Sequence, residues 1–160
     1  MNPMQKTCPA CQGHAYVPNA QSGAPCLCPV CGGEGKVAAP VTRRLYFYVF
    51  NGPAAGLGAL ATFNGVLNID SRAPFEVYAI TGNRAGAYTL QITDQTGRTY
   101  QNAAVNDVNA VGTAQQLFPL PVPLILPANG SLNITLVDTS GGGANIVQLV
   151  FCGYELYPEE

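Results

Sequence analysis

Four of the six cysteines stand as two matched pairs, Cys8-Pro9-Ala10-Cys11 and Cys28-Pro29-Val30-Cys31. A CxxC pair presents two thiolates from one tight turn. The 16 residues between Cys11 and Cys28 let a ribbon fold back so that four sulfurs meet tetrahedrally. The chemistry this spacing predicts is structural Zn2+ binding by Cys8, Cys11, Cys28 and Cys31. Gly13 follows the first pair, and Gly32, Gly33 and Gly35 follow the second. Such glycines permit a sharp turn and aim backbone N–H groups at the sulfurs. Two other residues compete for a ligand position: Cys26, two residues before Cys28, and His14, which would complete a site of three cysteines and one histidine. Cys152 stands alone near the other end and reads as a small buried hydrophobe.

A site with four cysteine ligands is closed, whereas hydrolytic zinc needs an open coordination position and a nearby acid or base. Glu34 is near in sequence but reads as a solvated turn residue. Beyond residue 43 the chain has no histidine and no lysine, so neither a Ser-His-Asp triad nor a lysine nucleophile can be assembled there. Asp70, Glu76, Asp94, Asp107, Asp138 and Glu155 are scattered over turn and strand positions, with no spacing that selects a glycosidase pair or a calcium loop. The expectation is a protein that binds and does not catalyse.

Stepping outward from the cysteines, residues 1–37 carry five of the six cysteines, the single histidine and both lysines, with almost no periodic apolar pattern. They read as a zinc-ribbon-like module. Residues 38–42 form a connector, and residues 43–160 change to β-branched, aromatic and turn residues. Strands are expected at 44–50, 59–69, 75–81, 87–93, 99–105, 113–117, 131–138 and 145–157. Tyr88, Leu90 and Ile92 alternate with Thr89, Gln91 and Thr93, and Leu132, Ile134 and Leu136 repeat the pattern, as half-buried strands require. Residues 45–50 and 146–151 are apolar on both faces, so one is expected at the centre of the fold and part of the other at a subunit contact. Turns are expected at Asn64-Gly65, Asn129-Gly130, 94–97 and 141–143. The fold class is all-β, a jelly-roll or Greek-key sandwich behind the cysteine module.

Composition bounds the partners. Charged residues make up 10% of the 160, the formal net charge is -2, and 48% are hydrophobic. Soluble domains average about 25% charged, so this neutral surface suits packing against other protein. Across residues 1–40 only Lys6 and Lys36 oppose Glu34, and Tyr16 is the one aromatic residue, which is too little for phosphate neutralisation. Nucleic acid is not an expected partner. The first seven residues lack a signal-peptide core, and residues 117–126 are broken by Pro119, Pro121 and Pro123, so neither export nor a membrane span is expected. Synthesis in a reducing cytoplasm agrees with cysteines reserved for metal.

The stretches Ala73-Pro74-Phe75-Glu76-Val77-Tyr78, Leu90-Gln91-Ile92-Thr93-Asp94-Gln95-Thr96-Gly97, Pro127-Ala128-Asn129-Gly130-Ser131-Leu132 and Asn145-Ile146-Val147-Gln148-Leu149-Val150-Phe151 follow one another in a cadence that resembles the accessory β-sandwich proteins of tailed-bacteriophage virions, the capsid decoration or cement proteins. The resemblance covers about residues 43–157. It implies a non-enzymatic virion protein that binds the major capsid protein or other virion subunits as a homo-oligomer, with a trimer favoured. Separately, Cys28-Pro29-Val30-Cys31-Gly32-Gly33-Glu34-Gly35 resembles the CxxCxGxG zinc knuckles of DnaJ-type chaperones, and the first knuckle matches it up to Ala15, where the last glycine is missing. Two knuckles in place of four, without a J-domain, point away from chaperone work. A phage tail or fibre component, and a host- or carbohydrate-binding sandwich using its tyrosines, are the other readings.

Overall fold

The computed structural model describes residues 5–18, 25–38, 41–113 and 115–159. By its contacts the chain divides into two compact units, Met1–Thr42 with Tyr157–Glu160, and Arg43–Leu156. The described residues contain no α-helix, only a 3-10 turn at Asp107–Asn109. No helix among them is long and apolar enough to cross a membrane.

Among the described residues the first unit holds four three-residue strands, β1 (Gln5–Thr7), β2 (Tyr16–Pro18), β3 (Pro25–Leu27) and β4 (Lys36–Ala38). They form two separate ribbons, β1 with β4 and β2 with β3, both antiparallel. Sheets this small have almost no apolar face to bury and need another source of stability.

Eight strands build the second unit: β5 (Val41–Asn51), β6 (Thr62–Asn68), β7 (Phe75–Arg84), β8 (Tyr88–Asp94), β9 (Val105–Asn106), β10 (Phe118–Leu126), β11 (Ser131–Asp138) and β12 (Val147–Pro158). One sheet runs β10-β7-β12-β5 and the other β6-β11-β8-β9. Every connection except β8 to β9 therefore crosses between sheets. That strand order is the jelly roll, two Greek keys wound into a double sheet.

Alternation sets the core on β8 and β11 as the sequence predicts, and the structure adds the inward face of β12. Tyr88, Leu90 and Ile92 on β8, Leu132, Ile134 and Leu136 on β11, and Val147, Leu149 and Phe151 on β12 are all buried in one cluster with Phe75 and Val77. Burying each such side chain stabilises the fold by about 1.5–3 kcal/mol before ordering costs are subtracted. Of the two strands that are apolar on both faces, β12 lies inside its sheet and β5 lies at the edge. On β5, Tyr48 and Phe50 point into the core, while Leu45, Phe47 and Val49 are 52%, 50% and 46% exposed.

Several local expectations are corrected. Of the strand expected at 113–117, Ala114 lies outside the described residues and the others are not in a strand; the pairing segment is β10, which begins at Phe118 and contains Pro119, Pro121 and Pro123. An edge position makes this tolerable, since a proline there breaks no ladder on its open side, and β10 drops register with β7 between Pro119 and Leu124. Residues 99–105 also form no strand, with only a Thr93–Thr99 bridge and the short β9. Asn64-Gly65 is no turn but mid-β6, opposite Thr135 and Ile134. Gly65 is there for close approach, because a Cβ would fall 2.7 Å from the Phe50 ring. Residues 141–143 link β11 to β12 across the sandwich, not within a hairpin. The turns at Asp94–Gly97 and at Asn129, whose φ is 58°, form as expected.

Candidate metal centre

Cys8, Cys11, Cys28 and Cys31 come together at the heart of the first unit, their four Sγ atoms all within 4.8 Å of one another. Cys8 and Cys28 are fully buried, Cys11 is buried and Cys31 half-buried. The Cys8–Cys28 sulfurs are 3.7 Å apart and the Cys11–Cys31 sulfurs 3.6 Å. Both spacings are far beyond a disulfide bond of about 2.05 Å. A tetrahedron of sulfurs each about 2.3 Å from a metal has edges of roughly 3.8 Å, so the donor set fits one tetrahedrally bound ion.

The cluster is built by a 20-residue internal repeat visible in every local detail. Cys8 N–H donates to Gly35 O at 3.0 Å, and Cys28 N–H to Ala15 O at 2.9 Å. His14 N–H donates to Cys11 O at 2.9 Å, and Glu34 N–H to Cys31 O at 3.0 Å. Left-handed backbone recurs at matching places: φ is 49° at Gln12 and 59° at Gly32, 87° at Gly13 and 90° at Gly33, 67° at Ala15 and 70° at Gly35. Each knuckle thus lends its strands and carbonyls to the other, and neither half completes a ribbon alone. The two CxxC motifs show in the sequence; this exchange of strands between repeats does not, because it is a tertiary pairing that the 20-residue offset only hints at.

Electrostatics acts in opposite directions on Cys31 and Cys11. Gly35 N–H lies 3.3 Å from Cys31 Sγ. Burial pushes the Cys31 thiol up, but N–H groups of Gly33 and Gly35 together with the Cys11 and Cys28 thiols outweigh it and hold Cys31 down at about 7. Cys11 is pushed the other way, to about 11, chiefly by burial. A cation bound by these sulfurs would displace the thiol protons, so metal uptake would be coupled to proton release.

His14 is exposed and stands outside the sulfur cluster. The Cys26 side chain lies outside the described residues. Glu34 is exposed. Cys152 is buried on β12, and burial raises its thiol. In the second unit the six acids are taken up structurally. Asp138 is buried and accepts from Leu60 N–H, Gly141 N–H, Ser140 Oγ and Asn145 Nδ2. Asp94 closes its turn through Thr96 and the Arg98 N–H, and Asp107 pairs with Arg84. Arg72 bridges Asp70 and the buried Glu155, and Arg43 pairs with Glu76. The sequence had no signal for these pairings, which join residues up to 83 positions apart.

No protein-family model matches the chain, and no curated protein matches it. Among solved structures, that of the Gt strain of infectious bursal disease virus superposes with a TM-score of 0.29 at 18% identity, over 86% of this chain and 36% of that one. The VP2 subviral particle of infectious bursal disease virus gives 0.23 at 15% identity, over 90% of this chain and 46% of that one. The chain spans less than half the length of either. At these scores and identities neither structure informs the chemistry of this chain.

Proposed function

We propose that this chain is a non-enzymatic virion structural protein, a decoration or cement subunit that binds the head surface of a bacteriophage and stabilises its assembly. Residues 1–37 are its anchor, held by Zn2+ on Cys8, Cys11, Cys28 and Cys31; residues 38–42 are the connector and residues 43–160 the sandwich. A bound zinc supplies a four-way crosslink in place of a core. The chain's own contribution is to gather four thiolates and to brace them with the Gly33 and Gly35 N–H groups. Synthesis takes place in the host cytoplasm and residence in the virion, as a homo-oligomer with three chains favoured.

The observation that carries the binding part of this reading is the contrast between the two outer faces of the sandwich. On the β6-β11-β8 face the outward residues are Thr, Asn, Gln and Ser with Val66 and Val137 among them, which water solvates well. On the β7-β12-β5 face Leu45, Phe47 and Val49 stand beside Val150, with the Tyr78 and Tyr154 rings 5.6 Å apart, and the Arg43–Glu76 ion pair and the Gln148–Asn51 hydrogen bond flank this apolar row. An apolar sheet face on a sparsely charged protein marks a contact surface. The jelly-roll strand order and the cadence of residues 43–157 support the virion part, although jelly rolls also serve as lectins. The test is isolation of native particles. Fixed stoichiometry with assembled heads, together with density on a symmetric site, supports decoration; recovery only with tails, or only as free monomer, sinks it.

A further inference from the structure

We propose that β5 pairs edge to edge, antiparallel, with β5 of a second copy of this chain about a two-fold axis at Phe47. β5 ends its sheet, and among the described residues no strand lies beyond it. The other three sheet ends are blunted. β10 carries Pro119, Pro121 and Pro123, β9 is two residues long, and β6 exposes Thr62, Asn64 and Asn68 beside Val66, with Gly65 at its middle. From Leu45 to Val49, β5 has no proline, glycine or charge, and an edge left so plain is a template for another strand.

Gly52 N–H donates to Val147 O of β12 at 2.9 Å, and the Asn51 and Gln148 side chains meet beside it at 2.8 Å. That register turns the N–H and C=O of Tyr48 and Phe50 toward β12 and those of Leu45, Phe47 and Val49 toward the open side. The sequence then selects the partner. Leu45-Tyr46-Phe47-Tyr48-Val49 reads almost the same in both directions, so an antiparallel copy sets Phe47 opposite Phe47, Tyr46 opposite Tyr48 and Leu45 opposite Val49. Charge agrees with this orientation. Arg43 leans back to Glu76 and falls opposite Asn51 of the second copy. The two Arg43 residues then stand roughly 26 Å apart, beyond a screening length of about 8 Å. Parallel pairing in the same register would instead place Arg43 and Arg44 beside their own copies. The pairing rests on the edge of β5; its use on a virion rests on the function proposed above, where it merges two outward rows of Leu45, Phe47 and Val49 into one contact ridge. A two-fold contact makes pairs by itself and, with a three-fold grouping, six-chain assemblies.

Sedimentation of the full metal-loaded chain tests this. Pairing with a dissociation constant on the order of micromolar is expected, as suits a strand edge about 30 Å long. Phe47→Lys and Phe47→Glu should each weaken pairing about a hundredfold, because a like charge then faces itself, and an equimolar mixture of the two should restore it. In the natural chain the Leu45, Phe47 and Val49 amides should gain protection from hydrogen exchange as concentration rises, whereas Tyr48 and Phe50 are protected throughout; this measurement decides the matter if a variant fails to fold. Chains that stay monomeric up to about millimolar concentration overturn the proposal. So do trimers that associate no further, a mixture that pairs no better than either variant alone, or protection without the odd-even alternation. Heads bound by such monomers or trimers would keep the decoration reading and remove the pairing, while pairs that leave heads bare would keep the pairing and remove decoration.

Discussion

Asn145 Nδ2 lies 3.0 Å from Asp138 Oδ1, and both side chains are buried. The same amide accepts from Gly86 N–H at 2.7 Å and from Ala85 N–H at 3.2 Å, so one residue joins the loop before β8, the end of β11 and the entry to β12. Removing it strands several polar groups away from water. Asn145→Ala should destabilise the sandwich by about 2–3 kcal/mol, read from chemical denaturation, whereas Asn133→Ala on the solvated face should change it by less than about 0.5 kcal/mol. Equal effects of the two would show that the network carries no special weight.

Acid sensitivity follows from the same carboxylate. Burial pushes Asp138 up, but its Ser140 and Asn145 donors and two backbone N–H groups outweigh that and hold it below 3.8. Asp70, through Arg72, and Asp94, through Thr96, are lowered as well. Because the unfolded chain then binds protons more readily, stability from these groups is complete above the unfolded value of 3.8 and is lost as pH falls through the folded values. Melting followed at the Leu90 amide should decline below about pH 4, and Asp138→Asn should flatten that decline. An unchanged slope in the variant removes Asp138 from the account.

Ala15 holds φ 67° where its counterpart Gly35 holds 70°. Left-handed backbone costs a non-glycine residue about 1–2 kcal/mol, partly offset in the comparison by glycine's greater freedom when unfolded. Ala15→Gly should therefore stabilise the metal-bound module by about 0.5–1 kcal/mol, seen as a two- to fivefold gain in resistance to a competing chelator, on the order expected from linkage. Gly35→Ala should do the reverse and more, because its Cβ would fall 2.5 Å from Gly13 O. A weaker hold on metal in Ala15→Gly would show that the knuckle is not strained there.

Removal of the metal separates the two units. The first rests on three-residue ribbons and the sulfur cluster, with Val17 packed beside it, while the second has its own large core. Purified protein should carry about one zinc per chain, and chelation should collapse the amide dispersion of the knuckles while Leu90, Ile134 and Phe151 keep theirs. Collapse of both units together, or survival of both, contradicts a structural clasp confined to residues 1–37.

What could be read from the sequence was whatever depends on short-range pattern. Alternation located β11 to the residue and gave the core faces of β8 and β11, since period-two burial is written in side-chain polarity; β12, apolar on both faces, showed none. The cysteine pairs likewise announced their cluster, because metal-ligand spacing is local. The misses were tertiary. A strand was expected at 113–117, short of the proline-containing β10, whose edge position tolerates Pro119, Pro121 and Pro123, and Asn64-Gly65 suggested a turn until the Phe50 ring explained the glycine. The exchange of ribbon strands between the two knuckles has no sequence signal beyond the 20-residue repeat.

The exposed row on β5 separates stability from assembly. Leu45, Phe47 and Val49 point away from the core, while Tyr46, Tyr48 and Phe50 between them pack inward, Tyr48 against Phe75 at 4.7 Å. A substitution on the outward row leaves the core untouched, so Phe47→Asp should alter sandwich stability by no more than about 0.5 kcal/mol. At a contact surface the same change buries a carboxylate against apolar atoms without a partner, a penalty of several kcal/mol. Binding to heads, or self-association read by sedimentation, should then fall by more than about a hundredfold in Phe47→Asp. Asn133→Asp on the opposite sheet adds the same charge where water already solvates the face and should bind as well as the natural chain. If Phe47→Asp binds normally while Asn133→Asp does not, the contact surface is the polar β6-β11-β8 face and the assignment of β5 is wrong.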